Sequence, residues 1–438
     1  MSVKHPILAC LLVAAAHYCH AAETDHEDWN AHVQATYVWQ TKPEFSAAYS
    51  GPNSLGTQHE KSYSFTATAA LGLRPWQDGE IYLNPECAQG IPFSNLTGLG
   101  GFTNGEIART AGATLKCYRA RLFLRQTWGL GGGREKQESD ANQLAGSVDK
   151  HRVVLTAGNL SVGDIFDDNV YSHDPRTQFM NWSIMTHGAY DYAADARGYT
   201  WGMALEYYSD DWVLRAGRFT QAREPNAQRM DFQIAQNHGD QIELEHAHEL
   251  DDLPGKLRLL LYRNRAPMAR FADATGLGAL TGATPDLNLV RKGYNTRWGM
   301  GLNLEQALSA NTGLFARASW SDGKTETYNF TEIDRSASTG LLLKGAAWGR
   351  EADNLGIAMA WNGLSKQRRD YLAAGGISFF IGDGRLNYDA EKIFETFYSL
   401  ALGRAGSLSV DWQHIRNPAY NADRGPVRVG SLRLHTEF

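Results

Sequence analysis

A row of arginines alternates with apolar residues in the segment from 119 to 130. Its cationic members are Arg119, Arg121 and Arg125. The segment from 79 to 88 places acids and polar side chains on one face in the same way, namely Glu80, Tyr82, Asn84 and Glu86. Guanidinium groups donate hydrogen bonds and carboxylates accept them, so facing rows serve solutes that need both partners, as sugar hydroxyls do. A plainer alternative is that the pairs only stiffen a wall, and the two roles can coexist.

Two long connections carry further candidates. The connection from Ser161 to Gly198 is rich in Asp, Asn and aromatic residues, and its charged candidates are Asp167, Asp168, Asp174 and Arg176. Because it also holds apolar residues such as Phe179 and Ile184, we expect it to fold inward, with its acids facing the cationic strand. The connection from Leu364 to Lys392 holds the apolar residues Phe379, Phe380 and Ile381, followed by Gly382-Asp383-Gly384, which alone is only a turn signal. We expect a second in-folded segment here, with a calcium site as the alternative.

The elements that position these residues are strands with a period of two. In the segment from 29 to 40, Trp29, Val33 and Tyr37 share one face. Asn30, Gln34 and Thr36 share the opposite face. Aromatic residues lie at both ends of the apolar face, where the two interfaces of a membrane would lie. The pattern predicts a wall with lipid on one side and water on the other.

The same alternation predicts sixteen strands. In the first half they lie near 29 to 40, 62 to 73, 79 to 88, 119 to 130, 151 to 160, 199 to 208, 212 to 221 and 240 to 249. In the second half they lie near 256 to 264, 295 to 306, 312 to 320, 339 to 348, 354 to 363, 393 to 403, 407 to 416 and 426 to 438. An even number leaves both termini in the periplasm, and sixteen strands enclose an aqueous channel. The predicted fold class is all-β, a 16-stranded antiparallel transmembrane β-barrel with in-folded extracellular loops.

The N-terminal residues have the layout of a secretory signal peptide. Lys4 precedes an apolar stretch from Ile7 to Ala16, and small residues follow at Ala21 and Ala22. Cleavage after one of these two alanines predicts a signal peptide over residues 1–22 and a mature barrel over 23–438. After the signal, no apolar run approaches the roughly 18 residues that a transmembrane helix needs. The predicted location is therefore the Gram-negative outer membrane.

The two cysteines of the mature chain, Cys87 and Cys117, would lie in an oxidising compartment, which predicts a disulfide; two unpaired thiols are the alternative. The formal net charge of −6 makes nucleic acid an improbable partner. Outer-membrane lipid is the expected surrounding of the barrel, and the last strand ends on Phe438, a pattern that barrel-assembly machinery recognises. No cofactor or metal is expected.

Several motifs occur in the order found in a known family. They include Asp167-Asp168-Asn169, Asp174-Pro175-Arg176-Thr177-Gln178-Phe179, Arg197-Gly198-Tyr199-Thr200-Trp201-Gly202, Tyr82-Leu83-Asn84-Pro85-Glu86, Arg121-Leu122-Phe123-Leu124-Arg125-Gln126 and Asn417-Pro418-Ala419-Tyr420. In these motifs the chain resembles the carbohydrate-selective outer-membrane porins of the OprB type. The resemblance covers nearly the whole mature chain.

The resemblance implies facilitated diffusion of monosaccharides and related small polar solutes through a charged eyelet. Carried over by position, the eyelet candidates are Glu80, Glu86, Arg119, Arg121, Arg125, Asp167, Asp168, Asp174 and Arg176. Two alternatives stay open from the residues. The first is a non-selective or anion-preferring porin, in which the arginines set ion choice. The second, a barrel lipase, would be an enzyme and would need a Ser, His and Asn or Asp cluster near a rim, which does not stand out.

Overall fold

The computed structural model describes residues 26–107 and 112–438. Within them, sixteen antiparallel strands close into a barrel, and a separate two-stranded hairpin lies outside the barrel sheet. The predicted fold class is therefore confirmed. The signal peptide predicted over residues 1–22 lies outside the described residues.

The barrel strands of the first half are β1 (Trp29–Lys42), β2 (Glu60–Trp76), β3 (Gly79–Ile91), β4 (Gly112–Gly129), β7 (Arg152–Leu160), β8 (Thr200–Ser209), β9 (Trp212–Thr220) and β10 (His238–Leu250). Those of the second half are β11 (Leu253–Ala266), β12 (Asn295–Ser309), β13 (Thr312–Ser321), β14 (Arg335–Gly345), β15 (Arg350–Gly363), β16 (Glu391–Ala401), β17 (Gly406–Arg416) and β18 (Val427–Glu437). The separate hairpin consists of β5 (Arg134–Gln137) and β6 (Gly146–Asp149).

In the described parts of the connections lie three α-helices: α1 (Trp182–Met185), α2 (Phe271–Thr281) and α3 (Lys366–Ala373). The charge and turn signals of the connections did not predict these helices. In the described part of the chain, no helix is long and apolar enough to cross a membrane.

The strands alternate buried and exposed side chains as a barrel wall requires. On β1, Asn30, Thr36 and Gln40 are buried, whereas Trp29 is 70% exposed on the outer face. The wall closes where β1 pairs with both β2 and β18. Val33 and Phe438 exchange backbone hydrogen bonds of 2.9 Å across this seam. The last residue of the chain therefore closes the barrel.

The predicted starts of three strands, β4, β14 and β15, differ most from the structure. β4 begins at Gly112 rather than near 119, because its first residues pair with β3 around Cys87 and Cys117. β15 begins at Arg350 rather than near 354, because the turn before it lies over 346 to 349, where Gly349 adopts a φ of 74°. β14 accordingly begins at Arg335 rather than near 339.

The barrel interior is partly filled by the long connections. Phe179 packs between Phe315 and Phe397, at ring-centroid distances of 5.4 and 5.1 Å. A second apolar cluster joins several of the long connections through residues such as Phe102, Trp182 and Phe380. Burial of these aromatic rings favours the in-folded conformation.

Candidate functional site

The central feature of the lumen is the crossing segment, defined as residues 161–199, which joins β7 to β8. It starts beside β4, where Asp164 makes a two-pronged ion pair with Arg121 at 2.7 and 2.6 Å. It reaches the far wall at β16, where Glu395 accepts hydrogen bonds from the backbone N–H groups of Met180 and Asn181. The segment therefore spans the barrel from wall to wall.

Asp167 is the buried anchor of the crossing segment. Its carboxylate accepts a hydrogen bond from Asn303 at 2.6 Å and one from Arg317 at 2.9 Å. His187 donates its backbone N–H to the same carboxylate at 2.7 Å. Burial alone would raise the pKa of Asp167, but Arg317 and His187 outweigh it and lower the pKa to about 2.

His187, also in the crossing segment, lies in the same buried contact. Its Nε2 lies 3.3 Å from Asp167, and burial lowers the pKa of His187 to about 4 although the carboxylate acts in the opposite direction. The ring packs on Gly301 of β12, where any Cβ would lie 2.4 Å from it. An inward glycine therefore makes room for this ring.

A second buried network joins the wall, the crossing segment and the connection from 92 to 107. Arg176 lies between two acids, 3.2 Å from Glu86 and 3.1 Å from Glu106. Glu86 also accepts hydrogen bonds from Thr68 at 2.7 Å and Tyr199 at 3.1 Å. A charged pair of this kind is stabilising only while every partner is present. Glu86 and Arg176 therefore fix the position of the segments.

A cavity of about 980 Å³ lies at the end of the barrel where the turns are short. Its lining contains five arginines and six carboxylates. Among them, Glu80 pairs with Arg74 at 3.0 Å and with Arg125 at 3.7 Å. Arg125 keeps 27% of its side chain exposed and donates a hydrogen bond to the backbone oxygen of Asn142 at 2.9 Å. These groups are ordered but still accessible to a solute.

The lining continues around the wall as a ladder of ion pairs. Arg215 of β9 contacts Glu206, Glu243 and Glu245 at 3.1, 3.0 and 3.0 Å. Arg258 of β11 then joins Glu245 to Glu305 at 2.7 and 3.1 Å. Sequence reasoning missed this ladder, although its residues alternate with apolar ones as Arg121 and Arg125 do. The signal was present in the strands from 199 to 264.

The hairpin β5–β6 belongs to the mouth segment, defined as residues 130–151, which folds over the entrance of the cavity. Asn30 of β1 donates a hydrogen bond to the backbone oxygen of Gln143 at 2.8 Å. The hydroxyl of Tyr82 accepts one from the N–H of Leu144 at 3.1 Å. The predicted strands already left a long connection here, over 131 to 150, but its fold over the cavity was not predicted. It narrows the cavity from the side of the short turns.

Arg119 does not line the lumen as predicted. Ala120 is an extra residue opposite the step from Asn84 to Pro85, and this bulge changes the face on which the following residues lie. Proline cannot donate a hydrogen bond across the pair, which favours a bulge there. Arg119 lies on the outer face, with its guanidinium 5.0 Å from the ring centroid of Trp201.

The acids of the crossing segment do not all face the cationic strand, which corrects a second expectation. Asp164 faces Arg121, but Asp167 lies against Arg317 on the far wall. Asp168 approaches Arg258 at 3.8 Å and keeps half of its side chain exposed. Asp174 accepts a hydrogen bond from the N–H of Arg176 at 3.0 Å and so orders its own turn. The segment travels too far for its later residues to remain near β4.

Cys87 and Cys117 lie opposite each other on β3 and β4, and their sulfurs form a disulfide.

Asp383 of the Gly-Asp-Gly turn accepts a hydrogen bond from Tyr49 at 2.9 Å. In residues 26–107 and 112–438, no group of three or more His, Cys, Asp or Glu side chains is arranged to hold a metal ion.

A closed barrel with a water-accessible charged lining and in-folded connections defines a transmembrane channel protein. A family model described as "Carbohydrate-selective porin, OprB family" matches residues 54–438, and the chain belongs to this family. Its place is therefore the Gram-negative outer membrane. Family and neighbours are channels rather than enzymes.

The fold is shared with solved outer-membrane channels. The high-pH structure of Pseudomonas putida OprB is 15% identical, with a TM-score of 0.71 and coverage of 94% of each chain. DcaP of Acinetobacter baumannii is 9% identical, with a TM-score of 0.50 and coverage of 94% of this chain and 97% of its own. OccAB1 of the same organism is 10% identical, with a TM-score of 0.50 and coverage of 96% and 98%. No curated protein sequence matches the chain.

Proposed function

We propose that this porin passes monosaccharides and related small polar solutes by facilitated diffusion through the charged cavity. The observation that carries the proposal is the lining, in which five arginines and six carboxylates surround about 980 Å³. Pockets for small ligands have volumes of roughly 300 to 1,000 Å³, so a monosaccharide has room to bind there.

The proposed eyelet combines the wall residues Glu80, Arg121 and Arg125 with Asp168 of the crossing segment. Glu80, Arg125 and Asp168 line the cavity, and Arg121 holds Asp164 at its edge. Such groups donate to and accept from hydroxyls without a net charge that would exclude neutral solutes. Glu86, Asp167, Asp174 and Arg176 take a different role in this proposal: they hold the segments that shape the eyelet.

Passage requires binding that is strong enough to favour entry and weak enough to permit exit. A millimolar dissociation constant, which corresponds to about −4 kcal/mol, satisfies both conditions. Secretion and insertion complete the proposal: cleavage after Ala21 or Ala22, a barrel surrounded by outer-membrane lipid, and recognition of the last strand through Phe438 by the assembly machinery.

The test is current through single channels of the purified protein in planar bilayers, with and without added glucose. We expect a concentration-dependent reduction of current with a midpoint in the millimolar range. A disaccharide and an uncharged polyol serve as comparison solutes. Equal effects of all solutes at equal viscosity would instead indicate a non-selective porin, and would contradict carbohydrate selectivity in this chain.

A further inference from the structure

The outer wall carries an apolar groove near the long-connection end of the barrel. Its volume is about 610 Å³, and it extends across β14 to β17. The small side chains Ala337 and Thr339 line it together with the larger side chains of Met359, Trp361 and Phe394. Because this face of the barrel meets lipid, a groove of these dimensions suits a hydrocarbon chain.

Basic side chains lie at the outer end of this groove. Lys392 and Arg416 lie directly opposite each other on β16 and β17. His414 and Arg428 lie opposite each other on β17 and β18. Arg335 occupies the first position of β14, on the other side of the groove. We call these five residues the outer basic cluster.

Most of the outer basic cluster has no counter-ion within the protein. In the described part of the chain, no carboxylate lies within 4.0 Å of Arg335, Arg416 or Arg428, and Lys392 reaches Asp389 at 3.5 Å. The Nδ1 atom of His414 is buried without a hydrogen-bond partner. Cations near hydrocarbon are costly unless an anion accompanies them.

Other cations on the same outer rim show the opposite arrangement. Arg218 of β9 pairs with Asp240 of β10 at 2.7 Å, and Arg263 of β11 pairs with the same carboxylate. These arginines also face outward near the long connections. On β9 to β11, the carboxylate of Asp240 therefore neutralises the outward arginines. The outer basic cluster remains available to an anion from outside the protein.

Aromatic rings mark the depth of the cluster in the membrane. The ring of Trp412 lies 5.9 Å from that of Phe394 and stacks on His414 at 5.8 Å. Tryptophan is enriched at the level of lipid headgroups. Trp361 of β15 lies opposite Lys392, which in turn lies opposite Arg416, so Arg416 lies at the level of this tryptophan and of the headgroup phosphates.

We propose that the groove and the outer basic cluster bind a phosphorylated glycolipid of the outer leaflet, lipopolysaccharide. One acyl chain occupies the groove, and a lipid A phosphate lies among Lys392, Arg416 and Arg428. Charge complementarity and the position at the extracellular end favour this lipid. The proposal is independent of which solute the channel passes.

The test measures binding of fluorescent lipopolysaccharide to the protein in nanodiscs of neutral phospholipid. The variant is Arg416→Gln with Arg428→Gln, and the matched control is Arg218→Gln, which removes a cation that already has a partner. We expect the dissociation constant to rise about tenfold in the double variant, because charge-assisted hydrogen bonds to phosphate are lost. The control should bind like the unaltered protein.

Three results would overturn the proposal: equal binding by the double variant, equal binding of dephosphorylated lipopolysaccharide, or equally tight binding of phosphatidylglycerol. Folding of each variant is checked by resistance of the barrel to unfolding in SDS without heating. A second variant, Ala337→Leu, fills part of the groove with a larger apolar side chain, which the lipid-facing surface of the barrel tolerates. It should weaken binding of the whole lipid but not of the phosphorylated headgroup sugar alone.

Discussion

Arg119 and Arg125 belong to one strand, yet only one of them meets the channel. Arg119 stacks on Trp201 on the outer face, whereas Arg125 lines the cavity beside Glu80. The bulge at Ala120 separates the two environments. Within β4, Arg125 is therefore the residue to test for solute binding, and Arg119 is a matched control for the loss of charge.

We expect Arg125→Gln to weaken glucose binding by about tenfold or more, because the loss of one charged hydrogen bond costs about 1.5 to 3 kcal/mol. The measurement is the glucose concentration that halves the single-channel current. Arg119→Gln removes the same charge from the same strand and should leave that concentration unchanged. If both variants bind glucose equally weakly, the loss of binding is caused by the changed net charge of the barrel and not by a missing contact in the cavity.

His187 and Asp167 predict how the crossing segment responds to acid. Released from its packing, His187 would regain its ordinary pKa of 6.5 in place of about 4. The packed form therefore loses about 3 kcal/mol as the pH falls from 6.5 to 4. Asp167 has a lowered pKa, so its contribution is complete above pH 3.8 and is lost as the pH falls towards 2.

Proteolysis of the crossing segment over a pH series measures this response, with an acid-active protease and a single short exposure. Cleavage should increase below pH 6.5 in the unaltered protein. His187→Gln should remove the dependence between pH 6.5 and 4 and preserve the step below 4. An unchanged profile in this variant would show that another group controls release of the segment.

At the scale of elements, inward glycines on β12 and β13 admit the crossing segment. A Cβ at Gly313 would lie 2.0 Å from the ring of Tyr171, much closer than real contacts allow. Any other residue at position 313 would place a side chain where the ring of Tyr171 lies. Glycine has no side chain, and the crossing segment can therefore approach the wall here. The wall and the segment are therefore complementary in shape.

Gly313→Ala should displace Tyr171 and loosen the crossing segment. We expect larger fluctuations of the open-channel current and a wider range of conductance, measured in planar bilayers. Gly430→Ala is the matched control, since the nearest atom to its added Cβ would be 3.9 Å away. Steady current in the Gly313 variant would mean that Tyr171 can move without disturbing the segment.

The strands were predictable because alternation is a local property: each side chain on β1 reports its own face. The position of Asp167 could not be predicted, because its partner Arg317 is distant in sequence and only the closed barrel brings the two side chains together. The reversal at Arg119 depends on pairing with Pro85 of another strand, which a single strand does not reveal. Local pattern therefore predicted the wall, and long-range contacts decided the site.

At the scale of the whole molecule, the charges of the cavity nearly cancel. Five arginines face six carboxylates, and ladders such as that of Arg215 and Glu206 keep opposite charges in contact. A channel that selects ions needs an excess of one sign along its path. The lining instead suits neutral polar solutes, for which paired charges provide hydrogen bonds without a barrier.

This balance predicts weak ion selectivity, measured as the reversal potential across a tenfold KCl gradient. The value should lie well below the roughly 59 mV that an ideally selective monovalent channel gives. Removing a single charge should shift the reversal potential in a defined direction. Glu80→Gln removes a negative charge and should shift selectivity towards anions, whereas Arg125→Gln removes a positive charge and should shift it towards cations. Because the two side chains lie 3.7 Å apart, they act on the same part of the path. Strong anion selectivity in the unaltered protein, or shifts of the same sign in both variants, would contradict a balanced lining and favour an anion-preferring porin.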